Sequence, residues 1–139
     1  MNGRYVLVGL VAALVSFRIF AADSMSGKDI GERLIGSWIV PPDSTDFNAQ
    51  DGYVMESFRP DGTYTLSVFR DANCQILVQQ IPAKWTIEGH VLISTLPNGK
   101  KLRDEVVGID REKLTLHSLD DGTTYTRARA LSCSKPQVS

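Results

Sequence analysis

The chain has 139 residues, of which 42% are hydrophobic and 22% charged, and its net charge is −1. This length predicts one domain, and the apolar content excludes a disordered or fibrous protein. The chain lacks the basic excess typical of nucleic-acid-binding proteins, so we expect no nucleic-acid partner.

The first 21 residues have the layout of a secretory signal peptide. One positive charge lies in Met1–Arg4, the apolar run Tyr5–Phe17 follows, and small residues stand at Ala21-Ala22. A membrane-spanning helix needs about 20 apolar residues, and Arg18 interrupts this run earlier. We expect cleavage after Ala21, to within one residue. A retained signal anchor is the alternative.

Cleavage there leaves 118 residues with a net charge of −3, since Arg4 and Arg18 are removed. The mature chain is then periplasmic or secreted and has no stable membrane span. It keeps Cys74 and Cys133, and an exported protein favours their oxidation to one disulfide. Such a bridge closes a loop of about 60 residues and contributes roughly 4 kcal/mol. Two free thiols are the alternative.

Residues 22–33 form an N-terminal segment in which a short helix is predicted. Ile30, Leu34 and Ile35 recur at helical spacing within Lys28–Ile35, although Gly31 weakens the pattern. The chain after this segment is predicted to be strands and turns.

Turn sequences such as Pro60-Asp-Gly62, Asn98-Gly99 and Asp121-Gly122 separate the strands at the spacing typical of an antiparallel meander. Pro82 lies between two strand patterns without a turn sequence, so we merge them into one bent strand. The predicted strands are Gly36–Val40, Tyr53–Phe58, Thr63–Arg70, Cys74–Ile81 merged with Ala83–Ile87, Val91–Leu96, Leu102–Ile109, Lys113–Leu119 and Thr123–Arg129.

Alternation along these strands gives one apolar and one polar face, as in Tyr64, Leu66 and Val68 against Thr63, Thr65 and Ser67. A meander of this length hides its edges best by closing into a barrel. We therefore predict an all-β, up-and-down barrel of about eight strands over residues 34–130, followed by a tail at 131–139. The longest loop, Pro41–Asp51, is expected to lie across the barrel mouth.

Glu56 is the residue that departs from this pattern. It shares a predicted inward face with Val54 and Phe58, and a buried carboxylate requires a partner. Arg127 on the last strand and a tyrosine hydroxyl are the candidates. In the functional interpretation this group binds a ligand head group. The alternative is that a bulge or a wet barrel end exposes Glu56.

Residue patterns for catalysis or metal binding are weak. There is no Gly-x-Ser-x-Gly motif, and the cysteine spacing fits neither a redox Cys-x-x-Cys pair nor a zinc cluster. His90 and His117 fall at a turn and on an outward position. We expect no enzyme activity, no cofactor and no metal.

The segment Leu34-Ile-Gly-Ser-Trp38 follows the helical turn and opens the first strand. It resembles the Gly-x-Trp signature of the lipocalin or calycin superfamily, and the later turns look like those of small bacterial lipocalin-like domains. The resemblance implies structural roles for Gly36 and Trp38, with an arginine of the last strand stacked on the tryptophan. Arg127 is the first choice for that role and Arg129 the second.

A strict meander would place Cys74 and the region of Cys133 at opposite barrel ends, farther apart than a disulfide can span. We favour a corner at Pro82 that adds a strand. The tail folding back and unpaired thiols are the alternatives.

Three functions fit this sequence. The first is a barrel that binds a small apolar or amphipathic molecule inside, with candidate contacts Glu56, Tyr64, Leu66, Trp85, Tyr125 and Arg127. The second is an envelope protein-binding module, such as an inhibitor of an envelope-attacking hydrolase, which the resemblance in size and architecture suggests. Its contacts would be Asp43, Asp46 and Phe47 in the long loop. The third is an envelope structural domain with neither activity.

Overall fold

The computed structural model describes residues 25–132 and the pair 135–136. The expected signal peptide, residues 1–21, and Cys133 lie outside this part, so the predictions about them stay predictions. Among the described residues, no helix has both the length and the apolar character needed to cross a bilayer.

A short helix, α1, at Gly27–Leu34 precedes the sheet, as predicted. The Ser26 hydroxyl accepts a hydrogen bond from the Asp29 N–H at 3.1 Å, and the Asp29 carboxylate accepts one from the Ser26 N–H at 3.2 Å. This reciprocal cap satisfies two backbone donors at the helix start. Ile30 and Leu34 are fully buried, so the apolar side of α1 packs against the barrel.

The described strands form one antiparallel meander in chain order. Each strand from β1 to β8 is hydrogen-bonded to the next, and β1 also pairs with β8 through Trp38–Arg129 and Ile39–Ala128. This closes an eight-stranded barrel and confirms the predicted fold class. The strands are β1 (Gly36–Ile39), β2 (Tyr53–Phe58), β3 (Thr63–Phe69), β4 (Leu77–Glu88), β5 (Val91–Thr95), β6 (Lys101–Ile109), β7 (Lys113–Ser118), β8 (Thr124–Ser132) and β9 (Lys135–Pro136).

Strand β4 passes through Pro82 without a break. The merged strand is therefore correct, and the favoured alternative, a corner at Pro82 that adds a strand, is wrong. The ladder between β4 and β5 begins only at Lys84, so at Pro82 the strand has a hydrogen-bonded neighbour on one side alone. Proline is tolerated at such an edge because it lacks the N–H that a second neighbour would need.

The core fills the barrel end that α1 covers, which we call the floor. The opposite end, the mouth, carries the β1–β2 loop at residues 40–52. Side chains that alternate inward meet α1 at the floor, and the buried set is Ile30, Leu34, Trp38, Phe58, Tyr64, Ala83, Leu92, Val106, Ile109, Leu114 and Leu116.

Arg129 holds the floor together. Its guanidinium carbon lies 4.1 Å from the centroid of the Trp38 ring, within the range of a cation–π contact. Its Nη1 donates to the Ile35 carbonyl at 3.0 Å, Nη2 to the Arg33 carbonyl, and Nε to the Arg111 carbonyl at 2.8 Å. The end of α1 and the β6–β7 turn are thereby tied to β8.

This corrects the choice of arginine that the resemblance implied. The register pairs Trp38 with Arg129, which leaves Arg127 one inward position closer to the mouth. Alternation puts both arginines on the same face of β8, and strand register, which the sequence does not specify, decides between them.

Gly36 is required by the same contact. Its φ is +126°, and a Cβ built there would lie 2.6 Å from Nη1 of Arg129. A side chain at position 36 would both strain the backbone and displace the guanidinium from Trp38. The Gly-x-Trp spacing therefore has a steric cause in this protein.

Cys74 packs beside a second apolar cluster, formed by Ile39 and Ala130. Ala130 lies near the end of β8, so Cys74 and the last strand approach each other despite the strict meander. The short β9 then runs antiparallel to the end of β8. The pairing of Cys74 with Cys133 stays a prediction, since Cys133 is outside the described residues.

Replacing Gly36 with Ala should destabilise the fold by about 2–4 kcal/mol, the sum of a positive-φ penalty and the loss of the Arg129 contacts. Urea unfolding followed by circular dichroism measures this. The control is Gly122→Ala, because Gly122 also has a positive φ, +76°, but no described atom lies within 4 Å of its Cβ position. That variant should lose only about 1–2 kcal/mol. Equal losses in the two variants would contradict the steric argument.

Candidate functional site

Glu56 faces the barrel interior and has two partners. The Tyr64 hydroxyl donates to its Oε1 at 2.6 Å, and Nε of Arg127 donates to its Oε2 at 2.7 Å. The side chains of Glu56 and Arg127 are only 14% and 12% exposed. Both partners considered from the sequence, an arginine of the last strand and a tyrosine hydroxyl, thus bind this carboxylate.

Arg127 links Glu56 to the long loop. Its Nη1 donates to Asp46 Oδ2 at 2.7 Å and to the Thr126 carbonyl at 2.9 Å, and its guanidinium lies 4.4 Å above the Tyr125 ring. Burial lowers the pKa of Arg127, but the carboxylates of Glu56 and Asp46 outweigh it and raise that pKa above its usual range. Arg127 therefore remains charged.

Asp104 extends the cluster from the opposite side of Tyr125. Burial raises the pKa of Asp104, the nearby Tyr125 hydroxyl opposes this, and the negative charge of Glu56 adds to the rise. Burial, followed by the charge of Asp104, likewise raises the pKa of the Tyr125 hydroxyl, which keeps it a hydrogen-bond donor.

These side chains form a polar cluster above the floor, which we call the cup. Its members are Glu56, Leu66, Asp104, Tyr125 and Arg127. All five are partly accessible, unlike the buried residues below them. Val54, Ile81 and Leu102, which alternate inward on neighbouring strands, are also partly accessible. The cup therefore joins a charged cluster to an apolar wall.

The cup carries more negative than positive charge. Three carboxylates, Asp46, Glu56 and Asp104, surround the single guanidinium of Arg127, which binds two of them. Asp104 is left with a neutral neighbour, Tyr125, and no ion pair among the described contacts. The excess negative charge is the electrostatic feature that a ligand in the cup would meet.

The structure divides the other predicted site residues between the two barrel ends. Tyr64 is 5% exposed and its ring belongs to the core, so only its hydroxyl reaches the cup. Trp85 lies at the floor, where its ring meets Phe58 edge-on with centroids 5.8 Å apart and its Nε1 donates to the Arg59 carbonyl at 3.0 Å. Trp85 contacts α1 near Gly31, and this placement separates it from the cup.

The loop residues are partly committed to contacts within the chain. Asp46 binds Arg127, and the Phe47 ring lies 5.5 Å from the ring of Tyr53. Asp43 is exposed. The long loop thus folds back onto the barrel mouth at Asp46.

Sequence reasoning missed Asp104, although the pattern that singled out Glu56 also contains it. Asp104 alternates with Leu102 and Val106 on β6, so it is a second carboxylate on an inward face. The ion pair between Asp46 and Arg127 joins residues 81 positions apart and leaves no local pattern. Within residues 25–132, no three His, Cys, Asp or Glu side chains are grouped as metal ligands.

Comparison with protein-family models matches no family to this chain, and comparison with curated proteins finds no match.

Replacing Asp104 with Asn should stabilise the protein at neutral pH by up to about 1 kcal/mol, since water screens this partly exposed group. The folded state raises the pKa of Asp104, so the wild-type protein loses stability as pH rises through that pKa. The gain should therefore vanish below about pH 3.9, the usual pKa of Asp. Urea unfolding over a pH series measures it.

The matched control is Glu105→Gln, which removes a carboxylate from the opposite face of the same strand. It should change stability by less than about 0.5 kcal/mol at any pH. A stability loss at neutral pH in Asp104→Asn would show that the ionised Asp104 is favourable and would contradict the electrostatic interpretation.

Replacing Asp46 with Ala should release the long loop while leaving the barrel folded, because it removes the ion pair with Arg127. The Asp46 side chain is 35% exposed, so the loss is about 1 kcal/mol, which corresponds to roughly fivefold faster amide exchange in residues 41–52. Hydrogen exchange with mass spectrometry measures this. Asp43→Ala, at an exposed position of the same loop, should leave the exchange unchanged.

Proposed function

We propose that this protein is an exported, lipocalin-like binding protein whose cup takes a small amphipathic molecule. Export rests on the sequence of residues 1–21. The relation to lipocalins rests on the Gly36 and Trp38 motif together with the closed eight-stranded barrel and the arginine stacked on Trp38.

The observation that carries the proposal is a hydrogen-bonded charged cluster facing inward beside partly accessible apolar side chains. Charged groups inside a barrel cost stability unless each is paired, and a filled apolar core would be cheaper. Four hydrogen bonds offset this cost. One joins Arg127 to Glu56, one runs from the Tyr64 hydroxyl to Glu56, and two run from Arg127 to Asp46 and to the Thr126 carbonyl. A cluster retained at such cost, partly accessible and next to apolar side chains, suits a ligand with a polar end.

The charge of the cup favours a cationic head group. Arg127 is already shared by Glu56 and Asp46, so an incoming carboxylate would compete with both and be repelled by Asp104. An ammonium group would instead be attracted by the carboxylate of Asp104. The apolar tail would lie along Leu66, Ile81 and Leu102.

We propose binding rather than catalysis. Both oxygens of Glu56 already accept hydrogen bonds from the protein, one of them from the guanidinium of Arg127, so this carboxylate serves to hold the cluster together. Asp104 is the carboxylate with an unshared charge, and it is suited to binding a cation.

The alternative function is a protein-binding module acting through the long loop. Asp46 and Phe47 already contact Arg127 and Tyr53, so two of its three candidate contacts are already engaged within the chain. We place this alternative second for that reason.

Calorimetric titration with decyltrimethylammonium, decanoate and decanol, each below its micelle concentration, tests the proposal. The three probes share one tail and differ in head-group charge. We expect the ammonium to bind about tenfold more tightly than the carboxylate, with the alcohol between them. Asp104→Asn should weaken ammonium binding about fivefold.

The control is Asp51→Asn, which removes one exposed loop carboxylate outside the cup and should leave the affinities unchanged. No binding of any probe would overturn the proposed function. Tighter binding of decanoate than of the ammonium probe would overturn only the predicted preference for a cationic head group, and the proposed binding function would remain.

A further inference from the structure

The first half of β4 has a hydrogen-bonded neighbour on one side only. Strand β3 pairs with β4 from Leu77 to Lys84, whereas β5 pairs with it only from Lys84 to Glu88. The β5–β6 turn ends the β5 ladder at Thr95, while the β3–β4 hairpin continues toward the mouth. Within the described residues, the edge from Leu77 to Ala83 is therefore open, and we call it the open edge.

The open edge is exposed and uncharged, and the residues at its start are apolar. Ile76, Leu77 and Val78 are 49%, 51% and 56% exposed, and Gln79 and Gln80 are exposed beside them. The run Gln75–Ala83 contains no Asp, Glu, Lys or Arg, in a chain of which 22% is charged.

An edge of this kind is a binding surface. Proteins usually protect open edges with charged side chains, proline or a bulge. Here Val68 pairs with Gln79 and Phe69 with Leu77, so the extra residue of a bulge is Val78, near the start of β4. Pro82 lies at the other end, and the middle of the open edge, Gln79 to Ile81, has neither protection.

The two ends of the open edge are complementary to each other. At the Pro82 end, a cleft of about 390 Å³ lies where β4 and β5 separate, lined by Pro82, Ala83, Leu96 and Pro97 among others. At the other end, Ile76 projects an exposed aliphatic side chain. The distance along one strand prevents Ile76 from filling the cleft of its own chain.

We propose that the open edge is the interface with a second copy of this chain, paired antiparallel about a two-fold axis near Gln79. Two-fold symmetry places the Ile76 end of each copy against the Pro82 end of the other. Each Ile76 then enters the cleft of its partner, and the two open edges satisfy each other's backbone groups.

Self-pairing is compatible with the charge of this edge, because like charges directly opposite in an antiparallel pair destabilise it and this uncharged run brings none together. A second copy also fits better than an unrelated extended segment. A two-fold pair also covers both open edges and both clefts in one closed unit, whereas an added peptide would present a new edge of its own.

The full chain is expressed with its own N-terminus and purified in the processed form that the host produces. Sedimentation equilibrium of this protein should give twice the monomer mass. The variant Val78→Lys/Gln80→Lys places like charges opposite each other near the axis and should weaken the dimer about tenfold. The variant Val78→Glu/Gln80→Glu should do the same. An equimolar mixture of the two variants should restore the dimer, because opposite charges then face each other.

The control is Thr86→Lys, which with Lys84 places two positive charges at the same spacing on the half of β4 that β5 covers. It should remain a dimer. A monomer mass for the unsubstituted chain, a dimer that survives both charged variants, or a mixture that stays monomeric would each overturn the proposal. The test uses no ligand, so its result is separate from that of the proposed binding function.

Discussion

The rest of the structure depends on the Arg129 guanidinium. It stacks on Trp38 and donates to the carbonyls of Arg33, Ile35 and Arg111, so one side chain joins α1, β1, β8 and the β6–β7 turn. The last carbonyls of a helix have no partner within it and need other donors, and a planar guanidinium supplies several in fixed directions. Gly36 follows from the same constraint, since a Cβ at this position would lie only 2.6 Å from Nη1 of Arg129. The Arg129 side chain thus both links β8 to β1, where the barrel closes, and holds α1 over the floor.

A closed and covered floor permits a charged interior above it. Glu56, Arg127, Tyr64 and Asp46 satisfy one another in a region where unpaired groups would be costly. The same network decides where the long loop lies, because Asp46 is bound to Arg127. The cup and the position of the long loop therefore depend on each other. The ion pairs of Arg127 with Glu56 and Asp46 arrange the candidate site, whereas the core is held by apolar contacts.

Residue patterns predicted the closed antiparallel barrel, the helix before it and the single strand through Pro82, since each depends on alternation and turn residues within a few positions. The inward Glu56 and its two classes of partner were also predicted from alternation. The choice between Arg127 and Arg129 on Trp38 was not, because both face inward and a register shift of two residues exchanges them. Trp85 was assigned to the ligand site from its inward face alone, and alternation does not distinguish the floor from the mouth.

By itself, the sequence determined the fold class, the turns, the inward faces and the uncharged run in β4, because these are set by local backbone preferences and a two-residue period. Tertiary structure alone decided which inward residues meet. Asp46 and Arg127, which are 81 positions apart, form an ion pair. Trp85 packs against α1 at the floor, and β4 extends past the end of the shorter β5, so that its edge is open there. The physical reason is that strand register, strand length and loop placement are fixed by contacts between distant segments, and no local pattern records them.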